Sequence, residues 1–158
     1  MSVDSAVATF VDPQAGLRVS SRSGSGFAIE FDTDAAGSGR AGPSPMEALL
    51  SALAACTAMD VASILRKKRQ GAVSYQIHVS GERSEDHPRV FTSIVVEHRL
   101  AGDVNPEAVR RSVELSATRY CPVSAMLSAV VPIEHRFRLM RDDDGEPVSG
   151  LVVTTGPG

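Results

Sequence analysis

The stretch GPSPMEALLSALAACTAMDVASILRKKRQG, residues 42–71, decides the fold. Ser44 and Glu47 have the spacing of a capping box, and Pro45 between them suits the first position of a helix. Up to residue 62 the segment is small or apolar on nearly every side, and it contains no helix breaker. Because such a helix has no polar face to turn to water, the pattern predicts a central, buried helix over residues 46–69.

Shorter elements are predicted on both sides of this helix. Before it, alternating apolar residues and turn signals indicate three strands, and residues 34–45 are rich in glycine and proline and predict a loop. After it, the pattern predicts a hairpin, a second helix, a short third helix and a closing strand. The predicted strands are 5–10, 16–21, 26–31, 73–81, 91–100 and 133–140, and the later helices are 106–119 and 123–130. This order is typical of an α+β fold with antiparallel sheets.

The length of 158 residues is sufficient for one compact domain with its own apolar core. We assign residues 1–141 to a single domain. Residues 142–158 begin with acidic residues and contain glycine and proline, which indicates a tail that is either weakly ordered or an edge segment.

Composition disfavours several classes of protein. The net charge of -3 and the lack of a long basic run argue against nucleic-acid binding. The N-terminus lacks the features of a signal peptide, and no uninterrupted apolar run reaches about 18 residues, so a cytoplasmic protein with no membrane contact is expected. Two cysteines are too few for a disulfide-stapled scaffold.

The two cysteines are the most informative side chains. Cys56 lies in the middle of the long helix, and Cys121 directly precedes Pro122 at the start of a short one. A helix N-terminus favours a thiolate, which ranks Cys121 as the more acidic thiol, whereas Cys56 needs a cation supplied by another part of the structure. Asp60, one turn after Cys56, needs a partner if it is buried. Two interpretations stay open: reactive thiols, or small buried core residues of a structural protein.

A metal or cofactor site is not predicted. The four histidines show no i, i+4 pair, and the cysteines show no Cys-x-x-Cys spacing. We expect His78 and His98 on an exposed sheet face, and a contact between them across the hairpin is the alternative. Nucleotide-binding loops and a nucleophile elbow are also lacking, so no cofactor is expected.

The segments Gly42-Pro-Ser-Pro-Met-Glu, Leu49-Leu-Ser-Ala-Leu-Ala-Ala-Cys56 and Tyr120-Cys121-Pro-Val-Ser-Ala resemble the OsmC-like family, which includes the organic hydroperoxide resistance proteins. The segment Cys56-Thr-Ala-Met-Asp60 and the basic run that follows are similar to its YhfA-like branch. The resemblance implies an intertwined homodimer in which antiparallel sheets wrap around two central helices.

The resemblance also implies an activity. In the family's peroxidases the helix cysteine attacks an organic or fatty-acid hydroperoxide and becomes a sulfenic acid, a second cysteine captures it as a disulfide, and an external thiol or lipoyl-type dithiol resets the site. By position, Cys56 is the peroxidatic residue and Cys121 the resolving one. A peroxidase enzyme is therefore the leading interpretation, and the alternative is a non-catalytic member that senses redox state or binds a small ligand.

The family's activating pair is an arginine held by a glutamate. By position the glutamate falls on Met46, one residue before Glu47, and we take Glu47 as the candidate although helix capping also explains it. Arg18 is the candidate arginine, with Arg22 and Arg40 as alternatives. The residues expected to line the substrate pocket, unless the methionines only fill the core, are Met46, Leu53, Met59, Asp60, Val123 and Met126.

Overall fold

The computed structural model describes residues 3–14, 16–33, 39–141 and 145–158, which belong to two compact units, residues 1–49 and 50–158. The boundary lies near the start of helix α1 (Pro45–Lys67), so this helix is the covalent link between the units. Part of the predicted loop 34–45 and the first residues of the predicted tail lie outside the described residues.

The first unit contains a three-stranded antiparallel meander. Its strands are β1 (Ala6–Phe10), β2 (Val19–Ser23) and β3 (Ala28–Phe31), and β2 begins later than the predicted strand 16–21. Phe10, Val19 and Phe31 pair directly across the three strands and therefore share one face. That face is apolar, whereas Ser20 and Glu30 pair on the other face. The apolar face of this sheet must therefore pack against other residues to be shielded from water.

Helix α1 has the predicted start and length. The Glu47 carboxylate accepts from the backbone N–H of Ser44 at 2.7 Å, and the Ser44 hydroxyl oxygen accepts from the backbone N–H of Glu47 at 3.3 Å, which is the reciprocal bonding of a capping box. Leu53, Thr57 and Val61 are fully buried, but Met59 on another side of the helix is 72% exposed. Within the chain the helix therefore buries one stripe rather than its whole surface.

By length and composition alone, α1 is also long and apolar enough to cross a membrane. Its buried stripe is continuous with the core of the second unit, because Leu53, Val61 and Leu65 belong to the apolar clusters of that unit. Core helices of water-soluble folds share these properties of length and composition, and the stripe identifies α1 as such a helix.

The second unit is built on a four-stranded sheet with the order β4-β5-β6-β7. Its strands are β4 (Ser74–Arg83), β5 (Phe91–Ala101), β6 (Ile133–Met140) and β7 (Val148–Thr155). The prediction of a purely antiparallel sheet is wrong for one pair, because β5 and β6 run parallel. Strand β7 lies within the predicted tail and pairs antiparallel with β6 at the sheet edge.

A parallel pair needs a long crossover, and the segment between β5 and β6 supplies it. It consists of α2 (Pro106–Leu115), a π-helical turn (Ser116–Tyr120) and α3 (Pro122–Leu127). The Asn105 side chain caps α2 by accepting from the backbone N–H of Glu107 at 2.8 Å. The α-helix predicted over 106–119 therefore ends at residue 115, and its last turn widens so that the Cys121 N–H donates to the Ser116 carbonyl, five residues back, at 3.0 Å.

Two apolar clusters fill the core of the second unit, and a polar layer separates them. On α1, Thr57 stands between Leu53 of one cluster and Val61 of the other. His98 on β5 and His135 on β6 occupy the same intermediate position on their strands, and all three polar side chains are fully buried. We call Thr57, His98 and His135 the polar layer.

Candidate functional site

The fold brings together two thiols that lie 65 positions apart in the chain. The Sγ atoms of Cys56 and Cys121 and a carboxylate oxygen of Asp60 all lie within 4.8 Å of one another, and both cysteines are free. Helix α1 supplies Cys56 and Asp60 one turn apart, whereas the crossover supplies Cys121 at the end of its π turn. We call these three residues the thiol site.

The two sulfurs differ in access to solvent. Cys121 is 2% exposed, and it caps α3, where its Sγ accepts the backbone N–H of Ser124 at 3.3 Å. Cys56 is half-buried. A molecule that approaches from solvent therefore meets Cys56 first, with Cys121 behind it.

A chain of hydroxyl groups fixes the carboxylate of Asp60. The Ser116 hydroxyl donates to Asp60 Oδ2 at 3.0 Å, and the hydroxyls of Thr57 and Ser116 are 2.9 Å apart. Because the single Ser116 proton is used on Asp60, Thr57 must be the donor in the second bond. The order Thr57 to Ser116 to Asp60 orients one carboxylate oxygen and connects the thiol site to the polar layer.

The environment of Cys121 keeps this thiol protonated. Burial is the main cause that raises the pKa of Cys121, to about 12, and the hydrogen bond with Cys56 and the charge of Asp60 act in the same direction. The backbone N–H of Ser124 opposes them. The expectation that a helix N-terminus lowers the pKa of Cys121 is therefore wrong, since burial outweighs the effect of a six-residue helix.

The expectation of an exposed sheet-face position is wrong for His98, whereas His78 is exposed. His98 and His135 are fully buried, and burial lowers their pKa values to about 3 and about 4, respectively. The proximity of His135 contributes to the shift of His98. The phenol of Tyr75 lies 2.7 Å from His98 Nδ1, whereas neither ring nitrogen of His135 has a hydrogen-bond partner among the described residues. The apolar alternation of β5 and β6 already placed both rings on the core-facing side of the sheet.

Tyr75 connects the histidines to the thiol site electrostatically. Burial raises the pKa of its phenol, and the charge of Asp60 raises it further. Tyr75 therefore stays protonated at physiological pH. Sequence reasoning did not single out Tyr75 or Ser116, because their contacts with His98 and Asp60 form only when distant elements of the chain pack together.

The predicted activating residues lie in the first unit and have different partners. Arg18 Nε bonds Glu30 Oε2 at 3.2 Å. Glu47 instead forms a two-pronged pair with Arg40, at 2.8 and 3.2 Å, and the Ser44 N–H, this arginine and the Ser44 hydroxyl lower the pKa of Glu47 to about 2. The arginine–glutamate pair nearest the start of α1 is thus Arg40–Glu47, formed by one of the alternative arginines.

The six predicted pocket residues lie in three different surroundings. Leu53, Val123 and Asp60 surround the thiols, the first two through the apolar cluster that contains Cys121. Met59 and Met126 are 72% and 68% exposed, so neither belongs to the buried core of the chain. Met46 is half-buried in the first unit.

An open groove of about 490 Å³ begins at Asp60 and runs between α1 and the π turn. Ile64 and Leu115 give it apolar walls, and Lys67 and Lys68 stand at its far end. The groove therefore combines an apolar wall with a cationic end, next to the carboxylate of the thiol site.

Comparison with known proteins places these residues in a family context. Residues 37–136 match the family model described as OsmC-like protein. The protein YhfA of Escherichia coli K12 is 41% identical over 126 residues, which cover 79% of this chain and 92% of YhfA.

Solved structures share the fold. A hypothetical protein from Aquifex aeolicus VF5 is 28% identical with a TM-score of 0.77, and the match covers 90% of this chain and 100% of that one. A structure from Legionella pneumophila, described as an organic hydroperoxide resistance protein, is 12% identical with a TM-score of 0.63, over 89% of this chain and 98% of that one. The second likeness concerns the fold alone.

Proposed function

Because this chain belongs to the OsmC-like protein family, we propose that it is a cofactor-free thiol peroxidase that reduces organic hydroperoxides in defence against oxidative stress. The observation that carries the proposal is the approach of Cys56 and Cys121 Sγ to within 4.8 Å from distant parts of the chain. Two core cysteines have no structural reason to meet beside a carboxylate. A peroxidatic and a resolving thiol, in contrast, must come close enough to form a disulfide.

The proposed reaction has two chemical steps and a reset. The Cys56 thiolate attacks the terminal oxygen of the hydroperoxide, the O–O bond breaks, and the alcohol leaves after protonation while Cys56 becomes a sulfenic acid. Cys121 then attacks the sulfenic sulfur, a disulfide forms and water leaves. An external thiol or lipoyl-type dithiol reduces the disulfide and returns both thiols.

The difference in burial supports this division of roles. Cys56 is the sulfur that a hydroperoxide can reach, and Cys121 is shielded until the sulfenic acid forms beside it. A resolving thiol must lose its proton as it attacks, and Asp60 is the carboxylate within reach of both sulfurs. We assign Asp60 the role of receiving that proton, with Ser116 holding it in place.

Activation of Cys56 requires a positive charge, as the family resemblance implies. Arg40 is the stronger candidate of the two arginines, because Glu47 fixes its guanidinium with two hydrogen bonds beside the start of α1. Arg18 is held by Glu30 through its Nε at 3.2 Å, and Glu30 lies on the polar face of the first sheet. Comparison of substitutions at the two positions decides between them.

We propose that the protein acts as a homodimer. The exposed apolar side chains include Met59 on α1, Val130 after α3 and Phe27 before β3, which are 72%, 77% and 78% exposed. Such apolar surface is unusual for a monomer, and a second copy of the chain is the partner that the family implies. Light scattering after size-exclusion chromatography should give twice the chain mass of 16.7 kDa.

The apolar surroundings of the thiols favour an organic hydroperoxide over hydrogen peroxide. Leu53 and Val123 pack around Cys121, and they offer contact to an alkyl chain but no polar partner to a small peroxide. A fatty-acid hydroperoxide fits the same description. We expect the reaction in the cytoplasm, where thiol reductants are available.

Thiol titration of the reduced protein with one equivalent of cumene hydroperoxide tests the proposal. We expect rapid loss of both thiols and an intramolecular disulfide, with slower oxidation by hydrogen peroxide. Cys56→Ser should abolish the reaction, and Cys121→Ser should stop it at a sulfenic acid that dimedone traps. The conservative exchange of sulfur for oxygen makes each variant the matched control of the other.

The competing function is a non-catalytic member that binds a ligand or senses redox state. If both thiols persist for many minutes with either peroxide, the peroxidase proposal is wrong and this function is favoured. If Cys121→Ser instead of Cys56→Ser abolishes the first step, the two roles are reversed.

A further inference from the structure

We propose that the reduced thiol site binds a thiophilic divalent cation such as Zn²⁺ through Cys56 Sγ, Cys121 Sγ and the Asp60 carboxylate, and that oxidation to the disulfide releases it. The cation is a competing ligand of the reduced state rather than a cofactor of the peroxide reaction. Binding needs only these three donors, so it stands independently of the proposed function, whereas release by peroxide rests on it.

The geometry of the donors fits a tetrahedral cation. Zinc–sulfur bonds of about 2.3 Å place two thiolates about 3.8 Å apart, and a carboxylate oxygen at about 2.0 Å lies at a similar separation from each sulfur. The three donor atoms are already within 4.8 Å of one another, so contraction by about 1 Å or less closes the site. The local sequence gave no signal, since only Cys56 and Asp60 share a helix turn.

The surroundings of the donors also fit. A metal-ligating carboxylate is usually oriented by a hydrogen bond, and the Ser116 hydroxyl provides one to Asp60 Oδ2 at 3.0 Å. Cys121 Sγ accepts the Ser124 backbone N–H at 3.3 Å, which fixes the direction of the sulfur. These contacts hold two of the three donors in place before a cation arrives.

The number and type of donors select the class of cation. Two thiolates and one carboxylate are soft and anionic, a set that favours zinc and its neighbours over magnesium or calcium. Three protein ligands leave a fourth position for water, and half-buried Cys56 provides an approach from solvent.

Binding and oxidation are mutually exclusive. With the metal bound, two thiolates and one organic hydroperoxide take up two protons and give the disulfide, the alcohol, water and the free cation, so the peroxide accepts the two electrons that the sulfurs lose. The disulfide has no thiolate left to hold the metal. A bound cation in turn occupies the electron pairs with which Cys56 attacks, so it should slow oxidation.

Titration of the full-length, reduced protein with Co²⁺ and Zn²⁺ tests the binding without any peroxide. We expect one cobalt per chain, a thiolate-to-cobalt charge-transfer band and the visible spectrum of tetrahedral cobalt, and displacement by Zn²⁺. Diamide-oxidised protein should show none of these signals. Absence of the charge-transfer band in reduced wild-type protein overturns the proposal.

Variants identify the ligands. Asp60→Asn should weaken Zn²⁺ binding, measured against a chromophoric chelator, by more than about tenfold, since losing a ligand costs at least as much as losing its hydrogen-bond partner. Asp103→Asn, an exposed aspartate elsewhere in the same unit, should bind like wild type. Equal affinity for the two variants, with both folded by circular dichroism, contradicts the assignment of Asp60.

A last measurement separates this inference from the proposed function. Cumene hydroperoxide is added to the cobalt-loaded protein, and the cobalt spectrum and free thiols are followed together. Loss of both at equal rates, slower than thiol loss in the metal-free protein, supports release by oxidation. Thiol loss with the cobalt spectrum retained overturns the proposed release by oxidation. If the thiols of the metal-free protein do not react with the peroxide, the peroxidase proposal is wrong but the proposed metal binding is unaffected.

Discussion

Acidification should destabilise this protein in a pH range where most buried cores are unaffected, because two histidines are buried in neutral form. His98 and His135 have pKa values of about 3 and about 4 in the folded chain, against about 6.5 in an unfolded one. As the pH falls below 6.5, both histidines become protonated in the unfolded chain but stay neutral in the folded chain. The stabilisation is therefore complete above pH 6.5 and is lost as the pH falls towards 4 and 3.

The magnitude follows from the two shifts. At pH 5 each histidine lowers the free energy of unfolding by about 2 kcal/mol relative to pH 8. The reason is that protonation stabilises the unfolded state by this amount and the folded state hardly at all. Together they lower the free energy of unfolding by about 4 kcal/mol. A typical domain has only about 5–15 kcal/mol in total, so the loss is readily measured.

The assay is urea denaturation between pH 8 and pH 5 at a fixed protein concentration, with a reductant present. His135→Leu should halve the pH-dependent loss to about 2 kcal/mol and should cost little at pH 8, because neither ring nitrogen has a partner among the described residues. His78→Leu is the matched control on the same sheet. His78 is exposed, and the variant should keep the full loss.

Two outcomes refute the reasoning. A change of less than about 1 kcal/mol between pH 8 and pH 5 in wild-type protein means that the folded histidines accept protons nearly as well as the unfolded ones. A loss that is unchanged in His135→Leu means that other groups cause it. Tyr75, whose phenol contacts His98, stays protonated throughout this window, because burial raises its pKa.

Three further outcomes are expected. Iodoacetamide at pH 8 should label Cys56 at least about tenfold faster than Cys121, which is buried and has a pKa of about 12; peptide mass spectrometry measures both rates, and equal labelling contradicts the assigned burial. Arg40→Met should slow oxidation by cumene hydroperoxide at least about tenfold in stopped flow while Arg18→Met changes it little, and the reverse result transfers the activating role to Arg18. Leu53→Ala should lower the free energy of unfolding by about 2–5 kcal/mol in urea, because this fully buried side chain fills the cluster around Cys121, and a loss below about 1 kcal/mol means that the cluster closes over the cavity.

The sequence predicts elements well where the pattern is local. Helix α1 follows from its capping box and its apolar run, and β6 occupies the predicted residues 133–140. The parallel pairing of β5 with β6 could not be read in the same way, because strand direction depends on how the crossover packs and not on either strand's composition. The π turn has no composition signal either, since its residues suit an α-helix equally well.

The candidate site could be predicted only in part. The resemblance to a family pointed to both cysteines, but their contact with Asp60 joins residues from α1 and from the crossover, which no sequence spacing encodes. The burial of His98 and His135 could be predicted more readily from the sequence. Each alternates with apolar residues of its strand, and this signal outweighs the general preference of histidine for partly exposed positions.

The π turn makes the thiol site tolerant of a change in chain length. Because Ser116–Tyr120 contains one residue more than an α-helical turn needs, deletion of a single residue there, such as exposed Thr118, would let α2 continue as an ordinary helix. Cys121 would then follow Ser116 by four residues and donate to the same carbonyl in α-helical geometry, so it would keep its direction towards Cys56. A deletion in the middle of α2 would instead rotate every later residue by about 100° around the helix axis and turn Cys121 away from Cys56. The π turn is therefore the part of the crossover where loss of one residue least disturbs the two thiols.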